Sequence, residues 1–210
     1  VTLKGRTIKK DGRWWSIFLP FDLELEGSIL EGAEIRTLEG TPTELDSYLV
    51  LDCLTPLAKI QAGHPYLIRF DKGEDIVDPV FENVIVKSED YSVTLDGGTV
   101  EMYGVYNYDY GYTADNYYIF DGNIRLGRLN RQTDQAIDGF SCYVRIDPSL
   151  NTGKDGIGLN FDGNMFDILT GVEKVETAEE PAAIYNTAGQ RLNKMQKGVN
   201  IVGDKKVLVK

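Results

Sequence analysis

The stretch that decides the fold is residues 14–21, Trp-Trp-Ser-Ile-Phe-Leu-Pro-Phe (WWSIFLPF). Side chains of a β-strand alternate between two faces, and here both faces are largely apolar. One face carries Trp14 and Phe18, and the other carries Ile17 and Leu19. Because a strand with two apolar faces must be covered on both sides, this stretch predicts a central strand in a layered β fold.

Short runs of a similar kind recur along the chain. They are rich in Val, Ile, Tyr and Phe and are separated by Asp-Gly pairs, which favour tight hairpin turns because both residues tolerate positive φ. These pairs lie at residues 11–12, 96–97, 121–122, 138–139, 155–156 and 162–163. No long stretch shows the apolar spacing of a helix. The pattern predicts an all-β protein, an antiparallel β-sandwich, with a barrel-like variant as the alternative. We expect strands at residues 2–9, 14–21, 33–38, 48–53, 65–70, 83–87, 99–106, 117–120, 123–129, 140–146 and 158–161.

The composition is that of a folded, acidic protein. Of the 210 residues, 42% are hydrophobic and 26% are charged, as in ordinary globular domains. A net charge of -11 argues against nucleic acid and anionic membrane surfaces as partners, since both are bound through Lys and Arg. No apolar run is long enough for a membrane span. Strand-like alternation begins at the first residues, so we expect the chain to be the end of a longer protein.

A domain boundary is predicted near residue 172. Residues 172–183 (VEKVETAEEPAA) are acidic, rich in Ala and free of aromatic side chains, as linkers often are. Residues 184–210 carry a net charge of +5, which leaves -16 for the first 183 residues. We therefore divide the chain into a β-sandwich domain (1–171), an acidic linker (172–183) and a basic C-terminal tail (184–210). In this small β appendage we expect strands at 183–186, 198–202 and 206–209, with a turn at Gly203-Asp204.

The residues that carry most enzymatic chemistry are scarce. His64 is the one histidine of the sequence, and no G-x-S-x-G nucleophile elbow is present. Cys53 and Cys142 lie in alternating runs typical of buried thiols, offer no zinc-binding spacing, and are left open as to disulfide formation. We predict no enzyme activity, no catalytic residue and no cofactor. The 33 acidic residues leave a less favoured alternative, a glycoside hydrolase with a carboxylate pair.

Residues 151–162 (NTGKDGIGLNFD) partly match a twelve-residue calcium loop. Asn151, Asp155 and Asp162 fall at the first, fifth and last positions of that loop. The third position is Gly153, which supplies no side-chain oxygen, and the last is Asp where a bidentate Glu is expected. Hairpin turns explain the same residues, so calcium is a weak candidate and no metal is predicted.

Residues 103–118 (YGVYNYDYGYTADNYY) contain seven tyrosines. In an extended segment, alternate tyrosines would share one face. Rings on a rigid sheet suit sugar rings or a protein partner, while cross-strand ring packing is the structural alternative. A carbohydrate-binding module is therefore the alternative function, and its candidate ligand-binding residues are Tyr106, Tyr108, Asp109, Tyr110 and Tyr112.

Five segments, read in order, resemble a module of large secreted or surface proteins from Bacteroidetes bacteria, where it follows leucine-rich or immunoglobulin-like repeats. The tail (IYNTAGQRLNKMQKGVNIVGDKKVLVK) is similar to type IX secretion sorting domains. The five segments are residues 14–21 (WWSIFLPF), 61–68 (QAGHPYLI), 117–129 (YYIFDGNIRLGRL), 139–144 (GFSCYV) and 160–172 (NFDGNMFDILTGV).

The resemblance implies an extracellular or outer cell-surface location and a non-catalytic role in adhesion or display, with the tail directing export or attachment. Implied partners are the upstream domains of a longer chain and a host or bacterial surface protein or glycan. Such modules often carry Cys at the position of Phe18 and a small polar residue at that of His64. The resemblance therefore gives His64 no catalytic role.

Overall fold

The computed structural model describes residues 1–107, 117–120, 126–128, 137–151 and 153–163, together with strands between residues 184 and 209. Residues 117–120, residues 127–128 and the strands after residue 183 are described by their backbone alone. The chain forms two compact units, Val1–Glu173 and Lys174–Lys210. No helix among the described residues is long and apolar enough to cross a membrane.

Strands are the main secondary structure of both units. The helical segments of the described chain are one α-helical turn, α1 (Pro148–Asn151), and a 3-10 turn (Asp96–Gly98). The strands of the first unit are β1 (Thr7–Ile8), β2 (Trp15–Phe18), β3 (Leu23–Glu24), β4 (Glu34–Arg36), β5 (Glu39–Leu45), β6 (Tyr48–Asp52), β7 (Lys59–Ile60), β8 (Pro65–Arg69), β9 (Ile76–Val77), β10 (Val93–Leu95), β11 (Val100–Val105), β12 (Tyr117–Phe120), β13 (Leu126–Arg128), β14 (Ser141–Ile146) and β15 (Gly156–Asn160). Those of the second unit are β16 (Ile184–Asn186), β17 (Arg191–Leu192), β18 (Gly198–Val202) and β19 (Lys205–Val209).

The first unit is built from several open sheets. The larger ones have the strand orders β10-β11-β14-β12-β13, β2-β8-β4 and β15-β6-β5, and the pairs β1-β9 and β3-β7 complete them. Every pairing among the described strands is antiparallel except that of β15 with β6. The fold is all-β and sandwich-like, as predicted, and no sheet of the described chain closes into a barrel.

Two hydrophobic clusters fill the first unit, and β2 lies between them. Ile17 is 1% exposed and packs into one cluster, whereas its neighbour Phe18 is 0% exposed and packs into the other. Strand β8 alternates in the same way, with Leu67 in the Phe18 cluster and Ile68 in the Ile17 cluster. The prediction that residues 14–21 supply a strand buried on both faces is thereby confirmed.

The free edge of β2 lies against the five-stranded sheet. Ser16 Oγ accepts a hydrogen bond of 3.0 Å from the Cys142 backbone N–H, and the Phe18 N–H donates one of 3.0 Å to the Phe140 carbonyl. The Phe18 ring lies directly over Gly104 of β11, where a Cβ atom would come within 2.0 Å of a ring carbon. The two sheets therefore approach so closely that position 104 has room for a hydrogen atom alone.

Each predicted strand of the first unit overlaps an observed strand except the one at residues 83–87, which is wrong. Val84 packs against the Ile17 cluster, but Ile85 and Val86 are 78% and 58% exposed, and the segment pairs with no strand of the described chain. The predicted tight turn at Asp96-Gly97 is confirmed, with φ of 46° and 65° at its two residues in the hairpin between β10 and β11.

Several strands were not predicted from the sequence, and β5 is the longest of them. Its residues (EGTPTEL) include Gly and Pro and few strong β-formers. The strand forms at the edge of the β15-β6-β5 sheet, where a register shift between Glu39 and Thr43 accommodates Pro42.

The second unit is an antiparallel sheet in the order β17-β16-β18-β19. Its strands β16, β18 and β19 confirm the three strands predicted for the tail, while β17 was not predicted. The linker predicted at residues 172–183 and the turn at Gly203-Asp204 lie outside the described residues.

We expect Gly104→Ala to lower the free energy of unfolding by about 1–3 kcal/mol or more, because the new methyl group overlaps the Phe18 ring. Urea titration of the two proteins measures this change. Gly73→Ala is the matched control, since its Cβ would lie 3.5 Å from the flexible Lys10 side chain. Equal unfolding midpoints for the two variants would show that the sheets are not in this close contact.

Candidate functional site

A cleft of about 570 Å³ lies on the first unit between β1, β2 and the turn that precedes β14. One wall comes from residues 4–9, which include β1. Its lining also includes Trp15 and Ile17 of β2 and Ile68 of β8. Residues 106–107 and 138–140 form the rest of the lining. Cavities of about 300–1,000 Å³ are the usual size of ligand sites.

Arg6 is the most unusual charged residue of this cleft. One of its Nη atoms donates a hydrogen bond of 2.7 Å to the Ser16 carbonyl of β2. Its Nε is buried and has no hydrogen-bond partner among the described residues. Burial lowers the pKa of the guanidinium, and the negative charge of Asp138 opposes this shift. Arg6 thus lies at the edge of β2 with its charge poorly compensated.

Aromatic side chains form much of the remaining wall. Tyr106 contacts Phe18 at 4.4 Å between ring centroids and meets Phe140 edge-on at 6.3 Å. Its hydroxyl donates a hydrogen bond of 2.6 Å to the Glu89 carbonyl. Burial, followed by the charges of Asp90 and Glu89, raises the pKa of that hydroxyl. Tyr106 is therefore held in place by packing on one side and by this hydrogen bond on the other.

The other candidate ligand-binding residues, Tyr108, Asp109, Tyr110 and Tyr112, lie outside the described residues. Tyr106 is half-buried and lines the cleft. Tyr103, nearer the start of the tyrosine-rich segment, stacks on its cross-strand neighbour Tyr143 at 5.3 Å. Tyr103 and Tyr106 thus take part in ring packing, the structural alternative named above.

The cleft itself was missed in the sequence analysis. The available signal was the basic run KGRTIKK at residues 4–10, which stands out in an acidic chain. In the sequence analysis, the alternation of residues in this run was interpreted only as the mark of a β-strand. What places it beside residues 138–140 is the tertiary packing of β1 near β2, which no local pattern encodes.

His64 lies beside Tyr91, and the two rings stack at 4.4 Å. Among the described residues the imidazole makes no hydrogen bond and no ion pair. The preceding Gly63 has a φ of 70°, and a Cβ there would come within 2.3 Å of the Glu89 carbonyl oxygen. Residues 61–68 therefore form a close backbone contact with the segment around Glu89.

Both cysteines are free and buried, and both belong to the Phe18 cluster. Burial raises the pKa of Cys142 to about 12, and its thiol donates to the Ile17 carbonyl at 3.3 Å. Burial also raises the pKa of Cys53. A thiolate is the reactive form of cysteine, so neither thiol has the character of a nucleophile.

A second cleft, of about 480 Å³, is lined by the acidic residues Asp22, Glu24, Glu26 and Glu82. Asp22 accepts hydrogen bonds from the Ala62 N–H at 2.8 Å and from Lys87 Nζ at 2.7 Å. These contacts lower the pKa of Asp22. The proton donor of a glycoside hydrolase requires the opposite shift.

The calcium candidates are separated by secondary structure. Strand β15 occupies the middle of residues 151–162, with Asp155 before it and Asp162 after it. Five extended residues span roughly 17 Å, too far for both carboxylates to bind one ion. Asp155 also accepts a hydrogen bond from Ser47 Oγ. No group of three or more His, Cys, Asp or Glu side chains within the described ranges is placed to hold a metal.

Comparisons of this chain with protein-family models, with curated proteins and with solved structures found no match. The resemblance drawn from residues 14–21 and the other segments therefore stays a prediction.

We expect both thiols to resist a water-soluble disulfide reagent in the folded protein at mildly basic pH, because both are buried and protonated. After unfolding in guanidinium, two thiols per chain should react. Ser88→Cys, at an exposed position, is the control and should react at once in the folded state. Rapid labelling of Cys53 or Cys142 in the native protein would contradict this arrangement.

We expect Tyr106→Phe to lower the free energy of unfolding by about 0.5–1.5 kcal/mol, since it removes the hydrogen bond to the Glu89 carbonyl. Thermal and urea denaturation measure the change. Tyr91→Phe is the control, because Tyr91 is 47% exposed and a surface change of this kind stays within about 0.5 kcal/mol. If both variants unfold at the same midpoint, Tyr106 is not anchored as described.

Proposed function

We propose that this chain is a non-catalytic module of a secreted or surface-displayed bacterial protein, with a body used in adhesion or display and a tail used in export or attachment. The observation that carries the proposal is the contrast between the two units. The tail at residues 184–210 has a net charge of +5 against -16 for the preceding residues, and it lies in a compact unit with its own four-stranded sheet.

A separate basic unit suits a role that differs from that of the acidic body. The described members of both hydrophobic clusters of the body lie between residues 3 and 161. A delivery signal must remain recognisable while the body folds, and a small unit with its own backbone pairing meets that requirement. The similarity of residues 184–210 to type IX sorting domains supports the same role.

Three features of the body favour binding over catalysis. The two thiols are buried and protonated, the His64 ring stacks on Tyr91, and Asp22 in the acidic cleft is held in its ionised form. Each of these groups is thus engaged in a structural contact. A carboxylate-dependent glycoside hydrolase remains the less favoured alternative.

We expect the parent protein to be retained inside a Bacteroidetes host when residues 184–210 are replaced by a Gly-Ser linker of the same length. Fractionation and antibody labelling of intact cells measure its delivery. In the converse experiment, residues 174–210 fused to an unrelated periplasmic reporter should carry that reporter to the surface or the medium.

The control is the unfolding midpoint of the linker variant, which should match that of the unaltered chain because every described member of the two clusters is retained. A body that unfolds normally and still reaches the cell surface would remove the sorting role from the tail.

A further inference from the structure

The cleft beside β2 contains the largely buried guanidinium of Arg6, which the negative charge of Asp138 compensates only in part. Burying a charge is costly unless hydrogen bonds and an opposite charge compensate it. Arg6 receives one carbonyl contact, from Ser16, and its Nε has no acceptor among the described residues. Because the Nε is buried, an anionic group bound in the cleft would be met by the Nη side of the guanidinium.

The surroundings of Arg6 are locally positive in an acidic protein. Lys4 and Lys9 also line the cleft, and Asp138 is the one carboxylate among the described residues of its lining. Lys9 is paired with Asp75 at 2.8 Å, which lies outside the lining. Lys4 makes no ion pair within the described part of the chain. The cleft therefore presents two cations, Lys4 and Arg6, that are available to an anion.

The cleft is also lined by hydrogen-bond acceptors, a hydroxyl and aromatic rings, which a simple anion would not contact favourably. Asp138 and Asn107 supply acceptor oxygens, and Thr7 supplies a hydroxyl. Trp15 and Phe140 supply apolar ring surface. A ligand that carries a carboxylate together with several hydroxyls and apolar ring faces would satisfy all three kinds of group.

We propose that this cleft binds an acidic oligosaccharide, with a uronic-acid carboxylate on Arg6 and Lys4 and neighbouring hydroxyls on Asp138 and Asn107. The planar guanidinium pairs well with a carboxylate, since two N–H groups can donate to its two oxygens. The hydroxyls beside a sugar carboxylate can donate to Asp138 and Asn107, whereas the side chains of an acidic peptide carry no such donor, and this favours a sugar acid. The volume of about 570 Å³ accommodates a short saccharide.

The test is isothermal titration calorimetry of the whole chain with three probes. These are a galacturonic-acid trisaccharide, the same trisaccharide with its carboxylates reduced to alcohols, and triglutamate. We expect the acid to bind, the reduced sugar to bind at least about tenfold more weakly, and triglutamate to bind more weakly than the acid. The affinity for the acid should fall as salt is added.

Two variants locate the binding. Arg6→Lys keeps the positive charge and can keep the Ser16 contact, so its expected loss of about tenfold reports the guanidinium itself. Lys4→Gln changes an exposed side chain without risk to the fold and should weaken binding about threefold. Lys59→Gln, outside the cleft, is the control and should bind as the unaltered chain does. The unfolding midpoint of each variant is measured alongside.

Several results would overturn the proposal. They are no heat of binding with the acidic trisaccharide, equal affinity for the reduced sugar, or unchanged affinity in Lys4→Gln and in a stably folded Arg6→Lys. Binding of triglutamate as tight as that of the sugar acid would assign the cleft to an acidic peptide. None of these outcomes tests the delivery role of the tail, which is measured separately in cells.

Discussion

The contact between the Phe18 ring and the backbone of Gly104 sets how closely the two sheets of the first unit approach. Because there is no side chain at position 104, β11 and β14 can lie near enough to β2 for Ser16 and Phe18 to exchange hydrogen bonds with residues 140–142. Strand β2 then has one cluster on each side. The layered arrangement of the molecule depends on this strand being covered on both faces.

Features of the fold that a few consecutive residues determine could be predicted from the sequence, whereas features that depend on distant residues could not. The two apolar faces of residues 14–21 and the Asp96-Gly97 turn are properties of a few consecutive residues, and both were predicted correctly. The edge strand β5 was missed because its hydrogen bonds come from β6 and its own sequence has little β preference. The segment 83–87 was mistaken for a strand because alternation says nothing about whether a neighbouring strand is there to pair with it.

The candidate site illustrates the same limit. Arg6 and Asp138 are far apart in sequence, and their proximity arises from the way β1 and the start of β14 lie on either side of β2. The tyrosine-rich segment drew attention because it is compositionally unusual within one stretch. Tyr106 is the one candidate ligand-binding residue of this segment that the structure describes. It packs against Phe18 and donates a hydrogen bond to the Glu89 carbonyl. Composition singled out Tyr106 alone among the aromatic residues of the cleft, and only tertiary structure placed the Arg6 guanidinium in the same cleft.

The parallel pairing of β15 with β6 has a consequence for synthesis on the ribosome. Tyr48 is matched with Gly156 and Asp52 with Asn160, so this ladder cannot form until residue 160 has left the exit tunnel. The buried members of the Ile17 cluster, by contrast, all lie between residues 3 and 81. The buried residues of the Ile17 cluster are thus all synthesised well before the Phe18 cluster can be completed. In that interval the Phe18 face of β2 lacks the strands that later pack against it. Pairings between such distant positions are also the slow ones in folding.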